Sequence, residues 1–430
     1  MALQKRLKIC MVSTFYPPYH FGGDAVYAYR LAEALAGRGH RVDVIHSLDA
    51  YHLSHPADPE VSFTHHPNVT LHSLATVAPR AAALLSHQLG RPGFYAKQLK
   101  AIFAQNQYDV IHYHNVSLMG APGLLRLGNA VKLYTTHEYW LICPTHVLFT
   151  FDREACVEKK CLRCTLHSRR PPQWWRGTGM LRRALRHVDC IITPSRFAMQ
   201  RHQAEGIDRP IVHIPHFVPE PTAAEVAGRA VVHPRPFFLY VGRLEKLKGV
   251  QDLLRIFRNY READLLIVGT GGYEQTLREQ ARDLQHVKCL GKLHPGALAN
   301  LYQQAIAVLV PSLCYETFGL TAAEALMHGT PAIVRRIGAL TEIIEQSGGG
   351  FSFSNDAECV AAMEQLRTQP ELRSKLALAG QDAARQLWSV GAHLERYEQL
   401  VASLLAKRKD AVGNAADARG QGAATASIVH

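Results

Sequence analysis

The run Phe237-Phe238-Leu239-Tyr240-Val241-Gly242-Arg243-Leu244-Glu245-Lys246-Leu247-Lys248-Gly249 decides how the chain folds. Its first five residues are apolar without a break, as in a strand buried on both faces of a helix-covered parallel sheet. Gly242 ends that strand, Gly249 closes the turn after it, and helical spacing resumes around Leu253. Arg243 and Lys248 therefore stand on a glycine-flanked turn at a strand's carboxyl end, where backbone amides also gather. Two cations there suit a diphosphate and would neutralise the charge that builds on it as a leaving group. A solvated basic turn is the plain alternative for these residues taken alone.

The strand-turn-helix step recurs upstream. Residues 9–12 read as a strand, Val26, Arg30, Leu31, Ala34 and Leu35 follow at helical spacing, Gly37 and Gly39 stop the helix, and residues 42–45 form the next strand. Further strands are predicted at 110–112, 132–135, 190–193 and 212–214, and beyond the quoted run at 265–268, 307–311 and 332–334. Between the two series lies the segment 219–236, whose four prolines and weak periodicity read as a linker. At 430 residues the chain exceeds what one core serves. The expected architecture is α/β, with two Rossmann-like parallel-sheet domains at 1–218 and 237–390. A C-terminal helix at 391–408 follows, with the first domain as its candidate packing partner. The Ala-, Gly- and Asp-rich residues 409–430 read as a disordered tail.

A hydrophobic fraction of 47% with 20% charged residues excludes disordered and fibrous classes. No apolar run approaches the roughly 20 residues of a membrane span, and Lys5, Arg6 and Lys8 lead into a short strand rather than a signal peptide. A reducing cytoplasm is the expected compartment, where the nine cysteines would be thiols or metal ligands. The net charge of +12 calls for an anionic partner, such as a phosphorylated substrate, an anionic membrane or nucleic acid. Between 160 and 201 arginines face a single acid, Asp189, with Trp174 and Trp175 in their midst. That pattern makes the inner membrane face a candidate peripheral surface. A solvated basic helix with two tryptophans tucked into the core is the alternative.

A second motif, Glu316-Thr317-Phe318-Gly319-Leu320-Thr321-Ala322-Ala323-Glu324, follows Pro311-Ser312. A helix over 317–326 would hold Gly319 in its first turn and direct its amides at a phosphate, with Glu316 just outside and Glu324 two turns in. Carboxylates so placed can accept paired hydrogen bonds from sugar diols.

These motifs form an ordered set with Gly22-Gly23, Gly39-His40-Arg41-Val42-Asp43-Val44, His112-Tyr113-His114, Thr135-Thr136-His137 and Gly269-Thr270-Gly271. The set resembles the retaining GT-B-fold glycosyltransferases of family 4 (group 1) over nearly the whole globular chain. The resemblance implies two domains facing across a cleft. It implies transfer of a hexose-type sugar from a UDP- or GDP-sugar to a glycan or lipid-linked acceptor in cell-surface polysaccharide or glycolipid synthesis. By the same resemblance, Arg243 and Lys248 bind the donor pyrophosphate and Glu324 the ribose hydroxyls. Glu316 and the amides near Phe318, Gly319 and Leu320 take the sugar and phosphate. Gly22 and Gly23 let their loop approach the β-phosphate, and His137 sits beside the reacting sugar. The sequence contains no Asp-x-Asp for a divalent ion, so transfer without a catalytic metal is expected.

One insertion, about 140–170, departs from the simplest family pattern. Cys143, Cys156, Cys161 and Cys164 include a Cys-x2-Cys knuckle, the spacing of tetrahedral thiolate zinc sites. Four cysteine ligands leave no open position, so such a zinc would be structural. His146 or His167 are substitute ligands, and an iron–sulfur cluster or a redox disulfide are the other readings. Cys10, Cys190, Cys289, Cys314 and Cys359 read as small buried hydrophobes.

Rival functions find less support. A sugar-nucleotide epimerase or hydrolase would need added acid and base residues that the motifs do not supply. Thr14-Phe15-Tyr16-Pro17-Pro18 replaces the glycine-rich turn that a dehydrogenase needs after its first strand. A non-catalytic zinc-containing binding protein, or a nucleic-acid module built on the knuckle, lacks a basic recognition helix or stacking platform.

Overall fold

The structure, a computed structural model, describes residues 5–55, 57–223, 225 and 233–425, with side chains through residue 411. Residues 224 and 226–232 of the expected linker lie outside the described residues.

The first sheet contains β1 (Lys8–Val12), β2 (Arg41–Ser47), β3 (Val69–Leu74), β4 (Val110–Tyr113), β5 (Val131–Thr135), β8 (Cys190–Thr193) and β9 (Ile211–His213). They stand in the order β3-β2-β1-β4-β5-β8-β9, and every pair is parallel. Two short strands, β6 (Phe149–Thr150) and β7 (Glu154–Ala155), form a separate antiparallel hairpin in the insertion. The second sheet, also all parallel, contains β10 (Phe237–Val241), β11 (Asp264–Val268), β12 (Val287–Gly291), β13 (Val308–Val310), β14 (Ala332–Arg335) and β15 (Gly350–Phe353). Its order is β12-β11-β10-β13-β14-β15. Both sheets thus reverse their winding beside their first strand, as doubly wound sheets do.

Strand alternation splits each sheet between two cores. Ile9 and Met11 pack on one face with Leu31 and Leu35 of the helix Gly23–Gly37, whereas Cys10 and Val12 pack on the other with Tyr95 and Leu99. The chain leaves the first domain's core at Phe217 and enters the second's at Val218. It leaves the second core at Trp388 and rejoins the first at Leu394. The two crossings touch, for the amide of Val218 donates to the carbonyl of Trp388 at 2.9 Å.

The last helix, Val390–Thr425, lies on the first sheet, where Leu394, Tyr397 and Val401 are buried and Arg408 donates to the Ala130 carbonyl at 2.8 Å. Residues 409–425, expected to be disordered, continue this helix. Alanines at 411, 415, 416, 418, 423 and 424 carry the strongest helix propensity of any residue, a signal that the absence of apolar periodicity obscured. Residues 426–430 lie outside the described residues. Among the described residues no helix is long and apolar enough to cross a membrane.

Candidate active site

The predicted donor residues gather at the carboxyl ends of strands flanking each reversal point, where open α/β sheets bind ligands. β1 runs toward the Gly22–Gly23 turn and its neighbour β4 toward His114. β10 runs into Gly242–Lys248 and its neighbour β13 into Ser312–Glu316.

Gly249 has φ +74°, and a Cβ there would stand 2.1 Å from the Pro311 carbonyl oxygen. Only glycine lets the basic turn close so tightly on the end of β13. The Leu313 amide donates to the Leu247 carbonyl at 2.8 Å across the same contact. As a result Lys248 Nζ lies 2.6 Å from Glu316 Oε1, which also accepts from Ser312 Oγ at 2.7 Å. Burial works against charge on both partners. For Lys248 the Glu316 carboxylate outweighs it, and the ammonium titrates above its ordinary range. For Glu316, Lys248, the Ser312 hydroxyl and Arg243 outweigh it, and the carboxyl titrates below its ordinary range. Arg243 is half exposed and pairs with Glu245 at 2.9 Å.

The expected helix over 317–326 starts later, at Leu320–Met327. Gly319 adopts φ +119°, where a Cβ would meet Leu340 Cδ2 at 2.8 Å, so it caps the helix rather than joining its first turn. Thr317 and Phe318 stand outside. Phe318 is buried edge-on to His216 and Trp388, with ring centroids 5.7 and 5.9 Å away. Glu324 accepts from Arg30 of the first domain and from the Tyr302 hydroxyl, both at 3.3 Å. A Cβ at Gly23 would lie 3.6 Å from Leu320, which puts the two glycine turns face to face across the cleft.

His137 lies at the same junction, its carbonyl accepting from Thr317 Oγ1 at 3.0 Å. Both ring nitrogens are engaged: Nε2 is 2.8 Å from His114 Nδ1, and Nδ1 is 3.2 Å from His216 Nε2. His112 packs tilted against His114 with ring centroids 4.1 Å apart, and Tyr27 links His216 to His393, packing on the first at 4.1 Å and bonding the second at 2.9 Å. Burial pushes His137 down to about 4 against the opposing pull of Asp24, and pushes His393 to about 4 as well. His112, His114 and His216 fall well below the ordinary histidine value for the same reason, with neighbouring histidines adding to it. The row is therefore uncharged at neutral pH. His216, His393, Arg30, Ser312 and Tyr139, whose hydroxyl donates to the Glu316 carbonyl at 3.2 Å, were not singled out as site residues from sequence. Tyr139 stood two places from His137, which was the one available hint.

In the insertion, Cys143 precedes the β6–β7 hairpin, Cys156 follows it, and Cys161 and Cys164 lie on the helix Cys161–His167. All four are free. Among the described residues no group of three or more His, Cys, Asp or Glu stands in metal-holding geometry, so the expected four-thiolate centre is not a formed coordination sphere. The tryptophans part company too. Trp174 is 64% exposed and Trp175 only 3%, the latter donating to the His87 carbonyl under the Arg176 guanidinium. Packing in the core thus removes half of the expected interfacial pair.

Two parallel-sheet domains whose glycine-bearing turns meet at their reversal points form the architecture, and known proteins of the same architecture are glycosyltransferases. The family model "Glycosyltransferase Family 4" matches residues 21–220, and "Glycosyl transferases group 1" matches residues 225–383. An uncharacterised glycosyltransferase of Methanocaldococcus jannaschii is 28% identical over 360 residues, covering 80% of this chain and 84% of the relative. The sucrose-phosphate synthase structure from Thermosynechococcus elongatus superposes with a TM-score of 0.73 at 23% identity, covering 94% of this chain and all of that one. Anabaena HepE, solved with UDP and glucose, superposes at 0.66 with 17% identity, covering 93% and 100%. The chain belongs to the group 1, family 4 glycosyltransferases and has their GT-B fold.

Proposed function

We propose that this glycosyltransferase is a retaining enzyme that moves a hexose-type sugar from a UDP- or GDP-sugar to a glycan or lipid-linked acceptor, working in the cytoplasm at or near the inner membrane face. The observation that carries the reading is the Lys248–Glu316–Ser312 cluster, with Arg243 on the same turn, opposite Gly22 and Gly23. Arg243 and Lys248 take the pyrophosphate, and the amides at Gly319 and Leu320 add their dipoles to it. Glu316 hydrogen-bonds the donor sugar and Glu324 the ribose. As the bond from the anomeric carbon to the β-phosphate oxygen breaks, the two cations hold the charge on the leaving diphosphate. The acceptor hydroxyl attacks from the same face and passes its proton to that departing phosphate, which retains configuration. His137, neutral and held by two histidines, orients the sugar rather than transferring a proton. No catalytic metal enters this scheme. HepE, a fold neighbour solved with UDP and glucose, supports a UDP donor.

A thermal-shift screen against UDP-, GDP-, ADP- and CMP-sugars without divalent metal tests it. One nucleotide series should raise Tm, with the rise lost in Arg243→Ala and Glu324→Ala. Folded protein that no donor stabilises would refute the assignment.

A further inference from the structure

We propose that Cys143, Cys156, Cys161 and Cys164 bind one structural zinc ion that pins the insertion against the donor side of the cleft. All four cysteines line a single cavity of about 20 Å³, together with Phe149 and Lys160. That volume admits one water-sized occupant. Thr145, Thr150 and Lys160 also border it, but the four thiols together make the donor set that a zinc ion takes as thiolates. The sulfurs now make only weak local contacts: Cys143 with Thr145 Oγ1 at 3.3 Å, Cys156 with the Glu158 carbonyl at 3.5 Å, and Cys164 with the Phe149 carbonyl at 3.8 Å. The four sulfurs do not stand in metal-holding geometry as they are, so binding draws them together into the cavity they share.

Backbone conformation supplies an independent observation. Among the described residues every non-glycine with positive φ lies in this insertion: His146, Leu148, Phe151, Asp152 and Arg169. Each such conformation is unfavourable for an L residue and persists only where the surroundings impose it. A short hairpin and a seven-residue helix impose little by themselves. A metal cross-link between the hairpin flanks and the helix's first turn does. Binding releases four thiol protons and leaves a zinc tetrathiolate of charge −2, and cations stand ready to balance it. Lys160 borders the cavity, and Arg176 reaches the Cys143 carbonyl at 3.5 Å. From there the chain runs back to Tyr139 and its bond to Glu316.

The test is metal analysis of the full-length protein purified in reductant without added metal, with released zinc read by a colorimetric chelator after mercurial attack on the thiols. About one zinc per chain is expected, falling below about a tenth in Cys161→Ser/Cys164→Ser and unchanged in Cys289→Ser. Cobalt exchange should give the thiolate charge-transfer and tetrahedral ligand-field bands of a four-sulfur site. The wild-type measurement decides even if the double variant misfolds. Metal-free folded protein with four freely titrating thiols, a disulfide among them, or bound iron in place of zinc would each overturn the proposal.

Discussion

With Lys248 and Glu316 paired at 2.6 Å, neither charge is comfortable alone, and a diphosphate is the natural competitor for the cation. Lys248→Ala is expected to lower kcat/KM about 10²–10³-fold, the usual cost of one donor to developing charge. The double variant Lys248→Ala/Glu316→Ala should lose far less than the product of the two single losses, since either change already disables the pair. Strictly multiplicative losses would mean that the two act independently. Titration offers a second residue-scale test. His112, His114, His137, His216 and His393 all titrate below their unfolded value near 6.5, so the unfolded chain binds more protons once the pH drops beneath that value. Their stability contribution is whole above about pH 6.5 and is lost as pH falls toward 4, by up to about 1.4 kcal/mol per pH unit for each ring. Urea midpoints at pH 7.5 and 5.5 should show the loss, and His216→Gln should flatten the slope. This row was not legible as a row. Each histidine is locally ambiguous, and His137 meets His216 across 79 positions.

Among the elements, inner strands announced themselves and, β9 apart, edge strands did not. β1, β5, β8, β10 and β11 are mostly apolar because both faces are covered, and sequence placed each within a residue of its observed bounds. β3, β12 and β15 were missed, and all three are edge strands whose residues are partly exposed. Half-covered strands such as Val69–Leu74, with Thr70 and His72 in its run, carry no continuous hydrophobic signal. The basic turn Gly242–Gly249 was legible because its glycines and cations are contiguous, whereas its contact with β13 was not. That contact makes Gly249→Ala informative: the left-handed φ and the Pro311 carbonyl together should cost about 2–4 kcal/mol in chemical denaturation. Donor KM should rise as well, because Lys248 moves with the turn. Unchanged stability would mean that the turn can shift away from β13.

For the whole molecule, first-domain and second-domain groups already meet. Arg30 reaches Glu324, Thr317 reaches the His137 carbonyl, and Glu342 accepts from the amides of Arg196 and Phe197 at the start of the helix Arg196–Ala204. Glu342→Ala removes a contact made only when the domains are together, so it should raise the radius of gyration in X-ray scattering without donor. It should also raise donor KM several-fold at nearly constant kcat. Deleting residues 390–430 strips Leu394, Tyr397 and Val401 from the first core and is expected to give insoluble protein. Stopping after residue 411 should leave Tm within about 2 °C. The paired crossings at Val218 and Trp388 carry a mechanical consequence. Two neighbouring ribbons fastened to each other act as a door's hinge pin: they let one leaf swing and resist its sliding or twisting past the other. The leaves part least beside the pin and most at the far rim, so the mouth can gape widely while the same atoms meet again at every closing.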